Sequence, residues 1–245
     1  MKYFRNFILG LLAFLGGSQL LLLAVLFFMP TPDFEIEPAR PKLWDYPSLS
    51  EAKISHQILD DGRLQIQTVH PLLPNVTPKM LAWWYKNLAL GEATIDGVSY
   101  PYYHLFHLSE HGQFKIKQAA TDGSPGMGAG AIVYRQETFG PHRSKGQARI
   151  ERFDDSGFVA IPFMGPVDFG RVEHSFKQVA GGTHYTVDVI LGSENPFFGR
   201  AINYFIRKKQ FSKPILNQWN RHQVEEVGSL PHFLPKLYQS KEINK

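Results

Sequence analysis

The pattern of apolar and polar positions divides the chain into three parts. Residues 7–29 form an uncharged apolar run, with Lys2 and Arg5 ahead of it. A run of that length suits a helix crossing a hydrocarbon core of about 30 Å. It ends Leu26-Phe27-Phe28-Met29, with no small-residue cleavage pattern, which favours an uncleaved anchor over a signal peptide. The reading is an N-terminal membrane anchor over 1–29, a single-pass transmembrane helix. Its positive flank predicts a cytoplasmic N-terminus and a domain on the opposite, periplasmic or luminal, side. Residues 30–48 contain Pro30, Pro32, Pro38, Pro41 and Pro47 and read as a semi-rigid tether. The domain is expected over 49–245.

Within that domain the periodicity is first that of strands. Residues 54–59 and 63–69 alternate around Asp60-Asp61-Gly62, a hairpin signature. Thr77 followed by Pro78 caps a helix running to about Leu90. Its face of Leu81, Trp84, Tyr85 and Leu88 reads as core. Strand candidates at 131–139, 148–153, 158–163, 167–178 and 183–191 follow too closely for helices between them, so the sheet is expected to be antiparallel. From Asn195-Pro196 onward the apolar spacing becomes helical, Pro214 implies a break or kink, and the last helix is expected to stop near Gly228. Leu230 to Pro235 reads as a tail. The predicted class is α+β: a helix-grip arrangement, a curved antiparallel sheet with a C-terminal helix against it and a cavity between them.

Charge changes little in this picture. The formal net charge of +4 is scattered, and Arg207-Lys208-Lys209, the densest basic run, reads as a solvated helix end. No nucleic-acid partner is expected. The absence of cysteine matters more. It excludes disulfides, thiolate zinc sites and cysteine nucleophiles, so any metal must be held by His, Asp or Glu. The Gly-rich run 123–130 lacks the Gly-Lys-Ser/Thr of a phosphate loop and reads as plain loop.

Ten histidines supply candidates. His222 and Glu226 are four apart in a helical stretch, so they share a face about one turn apart and can chelate one ion. The same spacing also serves a surface hydrogen bond, so the pair needs support from elsewhere. Trp219, one turn earlier, can wall an apolar pocket. His104, His107 and His111 fall within eight residues. Glu137 shares its strand face with Val133, Arg135 and Phe139, a mixed set that leaves its direction open. Pointing inward, it would need a cation.

These pieces resemble the 2,4-diacetylphloroglucinol hydrolase family, zinc-dependent carbon–carbon bond hydrolases with a Bet v 1-like helix-grip fold. The matching residues are His70-Pro71-Leu72-Leu73-Pro74 with Trp83-Trp84-Tyr85, Tyr103 through His111, Glu137, Trp219 with His222, Glu225, Glu226 and Gly228, and Phe233-Leu234-Pro235 with Leu237-Tyr238. The resemblance implies a zinc ion held by two His and two Glu. His222, Glu226 and Glu137 match three of them. The fourth is His111 or His107, and the eight-residue separation from Tyr103 favours His111. This chain has His107-Leu108-Ser109-Glu110-His111 where the family pattern commonly carries His-Pro-x-Asp-His. Tyr103 is then expected to touch the substrate or supply a proton, and His107 either to do the same or to stand behind the ligands. His174, His184 and Tyr185 are expected either in the pocket or in local strand hydrogen bonds. The implied activity is hydrolysis of a carbon–carbon bond in a ketonic compound, an apolar or phenolic ketone. The competing expectation is a membrane-anchored, non-enzymatic carrier of an apolar small molecule. Oligomeric state stays open, a homodimer included.

Overall fold

One antiparallel sheet carries the fold in this computed structural model, which describes residues 2–28, 32–35 and 38–243. The end of the expected anchor at Met29 and the tether positions 30–31 and 36–37 lie outside the described residues. The strands are β1 (Lys53–Ile58), β2 (Leu64–Val69), β3 (Leu73–Pro74), β4 (Glu92–Ile95), β5 (Val98–Pro101), β6 (His111–Gln118) and β7 (Ile132–Phe139). They continue with β8 (His142–Asp154), β9 (Gly157–Met164), β10 (Val167–Asp168), β11 (Gly170–Val179) and β12 (Gly182–Leu191). The large sheet runs β1-β2-β12-β11-β9-β8-β7-β6, with β3 paired to β12 and β10 to β9. Only β4 and β5 stand apart, as a hairpin turned at Asp96-Gly97.

The helices are α1 (Lys2–Phe28), α2 (Pro78–Asn87), α3 (Tyr102–Phe106), α4 (Gly199–Phe205) and α5 (Lys213–Ile243). Thr77 caps α2 by accepting from the Met80 N–H at 3.2 Å, and Pro78 occupies the first turn. Pro214 sits in the first turn of α5, where its missing N–H costs nothing, and so marks a start rather than a kink. Helix α5 crosses the concave side of the sheet. This is the helix-grip, α+β arrangement expected from the pattern.

Two expectations are corrected. The last helix does not stop near Gly228; α5 continues through Pro231 and Pro235 to Ile243. A proline inside a helix costs about 3 kcal/mol. Against that cost stands a buried stripe at helical spacing, Val227, Leu230 and Leu234, all at 0% exposure. Gly228 belongs to the same packing: a Cβ there would fall 2.2 Å from Pro47 Cγ, so the glycine lets Pro47 lie on the helix.

The second correction concerns the membrane. Residues 2–28 do form a helix, but among the described residues no helix is long and apolar enough to cross a membrane. The expected transmembrane anchor, and with it the single-pass placement with a cytoplasmic N-terminus, is overturned. Instead α1 packs beside α4. Gln19 Nε2 donates to the Phe197 carbonyl at 2.8 Å, and Leu22 and Leu23 rest against the core. The chain after α1 also returns to the domain. The Arg40 N–H donates to the Leu108 carbonyl at 3.1 Å, the Leu108 N–H donates to Tyr46 Oη at 3.1 Å, and Trp44 stacks on His232 and Phe233.

Candidate metal centre

Strand register brings the first pair of candidate ligands together. His111 opens β6 directly opposite Glu137 of β7, and facing residues of an antiparallel pair project to the same side. Helix α5 brings the second pair, His222 and Glu226, one turn apart. All four are buried, none more than 6% exposed.

Their ligating atoms converge. His111 Nε2 lies 3.2 Å from His222 Nε2, 3.3 Å from Glu226 Oε2 and 4.0 Å from Glu137 Oε2. His222 Nε2 lies 3.7 Å from Glu226 Oε2 and 4.0 Å from Glu137 Oε2. Ligand atoms around a tetrahedral zinc at about 2.1 Å stand roughly 3.4 Å apart, so this spacing needs only small adjustments.

Proton placement strengthens the fit. His111 Nδ1 donates to the Tyr103 carbonyl at 2.7 Å, and His222 Nδ1 donates to Glu110 Oε2 at 2.7 Å. A carbonyl or carboxylate oxygen only accepts, so both protons sit on Nδ1 and both Nε2 atoms are bare lone pairs. Burial, then neighbouring imidazoles, holds both rings well below the usual imidazole range and so neutral. Two facing lone pairs at 3.2 Å repel unless a proton or a cation stands between them. Burial pushes Glu226 up to about 8, so a proton on its carboxyl can satisfy one imidazole. The other stays unanswered, and a divalent cation answers both. Histidine nitrogens with carboxylate oxygens, and no sulfur, suit zinc among other divalent ions.

An outer layer fixes each ligand. Glu137 Oε2 accepts from Tyr103 Oη at 2.8 Å while its Oε1 faces the Arg135 guanidinium. The Tyr103 ring stacks on His111 at 3.9 Å. Behind His222, Glu110 also accepts from Arg221 and from the Gly140 N–H, and Arg221 reaches on to Glu225. His107, Glu110 and His222 form a second convergent group, but its nitrogens carry protons. The Glu110 N–H donates to His107 Nδ1 at 3.2 Å, which leaves His107 Nε2 protonated toward Glu225 Oε2 at 3.1 Å. This group is a hydrogen-bonded support, not a second metal centre.

A cavity of about 1050 Å³ opens beside Glu137 and Glu226, between the sheet and α5. Glu137, Glu226, Tyr103 and Arg135 line it, with an apolar body that includes Phe158, Val189, Phe205, Phe211 and Trp219. Pro32 and Asp33 line it too, the Asp33 carbonyl accepting from Lys145 Nζ at 3.5 Å.

The other expected site residues divide. His174 Nδ1 lies 2.6 Å from Tyr185 Oη, which in turn meets Tyr85 Oη in a short hydrogen bond. His174 and Tyr85 line the cavity, with Tyr185 fully buried behind them. Burial holds His174 down at about 3 and raises both hydroxyls well above the usual phenol range. His70, on the far side of Tyr185, is buried with no partner for either ring nitrogen among the described residues. His184 faces solvent. His107 does not line the cavity; it stacks on His222 with ring centroids 4.6 Å apart.

Three residues escaped the sequence reading. Tyr85 read as core because it occupies the apolar face of α2, and the spacing does not distinguish a tyrosine whose hydroxyl reaches a cavity. Arg135 read as part of a mixed strand face. Glu110 was noted only as a departure from a motif, although a carboxylate next to a candidate His ligand was a usable signal.

No family model matches the chain, and no curated protein matches it. Among solved structures it is similar to Ara h 8.0201, at 10% identity over 73% of this chain and 98% of that one, with a TM-score of 0.38. It is similar to the protein TTHA0849 from Thermus thermophilus, at 12% identity over 69% and 94%, with a TM-score of 0.43. A START superfamily protein from Mycobacterium smegmatis gives 10% identity over 71% and 99%, with a TM-score of 0.39. At these values the likenesses carry no argument about activity or ligand, and none of them supports the 2,4-diacetylphloroglucinol hydrolase resemblance, which rests on the motifs alone.

Proposed function

We propose that this chain is a zinc-dependent hydrolase that cleaves the carbon–carbon bond between an acyl group and an activated, phenolic or β-diketone-like, carbon. One observation carries the reading: two neutral imidazoles present bare Nε2 lone pairs to each other at 3.2 Å, flanked by Glu226 and Glu137, which line an apolar cavity. Zinc bound there would polarise an acyl carbonyl and acidify water. The chain's own groups do the rest. Tyr103, kept protonated by burial and held on Glu137, is placed to bind a substrate oxygen or hand a proton to the departing carbon. The Tyr85, Tyr185 and His174 chain offers a neutral hydrogen-bonding wall for a second oxygen. The apolar lining excludes water and takes up the body of the ligand.

The test is turnover. Zinc-loaded protein is given an acylphenol and a β-diketone, and release of the carboxylic acid is followed beside chelator-stripped protein. Release that depends on zinc and falls by roughly 100-fold in Tyr103→Phe is the expected result. No release from protein carrying stoichiometric zinc would contradict the enzyme reading. It would leave the second one, storage or transport of an apolar small molecule, which the cavity volume favours.

A further inference from the structure

A guanidinium is an expensive group to leave at an apolar cavity wall unless something neutralises it. Arg135 meets that cost only in part: its side chain is 38% exposed and one of its nitrogens pairs with Glu137. It lines the cavity, and only its Nη1 is engaged, with Glu137 Oε1 and Ser144 Oγ. Its Nε and Nη2 have no partner among the described residues. The other lining cation, Lys145, is drawn to the Asp33 segment, which brings its own carboxylate.

The donor geometry of the guanidinium turns this into a statement about the substrate. The lining also carries Arg135 with the Glu137 and Glu226 carboxylates. Glu137 and Ser144 hold Nη1, so the remaining N–H groups of the Arg135 fork are open to a ligand. A planar guanidinium with free N–H groups matches an oxyanion in a charge-assisted, two-point contact.

We propose that the ligand of this cavity is an apolar compound carrying one anionic oxygen, a carboxylate or an enolate, and that Arg135 selects it. The inference rests on the proposed metal reading and narrows its substrate class. A neutral ketone would leave Nε and Nη2 of Arg135 without an anionic partner. A monoanion on the remaining N–H groups of Arg135 sits beside Tyr103 and Glu137, next to the groups assigned to chemistry.

The test measures binding rather than turnover, on the full chain with zinc in excess, and reads zinc content in the same samples. Two matched pairs of probes separate the two sources of charge: decanoate against decanamide, and a β-diketone against the matching γ-diketone, which does not form a stable enolate. The expected result is that the anionic member of at least one pair binds ~10-fold or more tightly than its neutral partner, as a charge-assisted hydrogen bond supplies. In Arg135→Gln that preference should fall to ~3-fold or less, with Arg135→Lys, which keeps the charge without the fork, in between. Equal binding within both pairs would overturn the proposal. So would a preference that persists in Arg135→Gln, because it would assign the anion to the metal. Should Arg135→Gln fail to fold, an undiminished preference in Arg135→Lys overturns the fork contact in the same way. Zinc content decides the metal reading separately, so failure of one is not mistaken for failure of the other.

Discussion

Two buried polar clusters flank the same cavity, and they meet the cost of burial in different ways. One joins His111, His222, Glu137 and Glu226. The other joins His174, Tyr185 and Tyr85, with His70 behind. Both hold their imidazoles neutral by burial. The second can rest in that state, because hydroxyls both donate and accept and no member need ionise. The first cannot, because it adds two carboxylates and faces two unprotonated nitrogens at each other. Histidine content does not separate a ligand-binding wall from a metal centre. Carboxylates and the direction of the Nδ1 protons do.

The largest expected break in this contrast comes from Glu226→Gln. It should weaken zinc binding by at least ~100-fold in a calorimetric titration, since a charged ligand is lost. The metal-free protein should respond in the opposite sense. Burial raises Glu226 from its ordinary 4.5 to about 8, so the folded chain keeps a proton that the unfolded chain releases. Stability from that group is therefore present below about pH 4.5 and lost as pH rises toward 8. Thermal unfolding of metal-free protein across that range should show the fall in the wild type and its absence in Glu226→Gln.

A smaller effect is expected from Glu110→Gln, which keeps the shape behind His222 and removes the charge that fixes its Nδ1 proton. Zinc affinity should drop ~10–100-fold, with partial recovery in Glu110→Asp. An unchanged affinity would show that the Glu110, Arg221 and Glu225 network serves stability alone.

The smallest effect on metal is expected in the other cluster. Tyr185→Phe leaves His174 Nδ1 and Tyr85 Oη without their shared partner. It should cost about 1–3 kcal/mol of stability by chemical denaturation while leaving zinc stoichiometry unchanged. Loss of zinc in that variant would join the two clusters into one site and end the comparison.

The sequence made some of this visible and hid the rest for physical reasons. The strands from β7 to β12 were legible because alternation and turn glycines agree. The His222 and Glu226 pair was legible because helical spacing alone puts both on one face. The direction of Glu137 was not, since Val133, Arg135 and Phe139 on its face mix apolar with charged. Its orientation follows from the pairing with His111 across β6 and β7, which is a long-range fact. The end of α5 was misread because Gly228, Pro231 and Pro235 are local stop signals, while Val227, Leu230 and Leu234 win by burial against distant segments. The N-terminal run was misread too, since among the described residues no helix is long and apolar enough to cross a membrane. Local apolarity suggested a membrane, whereas Gln19 bonds to Phe197 and Leu22 and Leu23 rest on the core. The β4–β5 hairpin at Asp96-Gly97 was missed although its turn dipeptide is a strong local signal.

The central claim is that four convergent side chains exist to hold one divalent ion. The most direct measurement is elemental analysis of the purified chain after zinc is supplied, beside a His222→Ala, Glu226→Ala double variant whose fold is checked by circular dichroism. The account expects about one zinc per chain in the wild type and none in the folded variant. No metal in the wild type, or equal zinc in both, would contradict it.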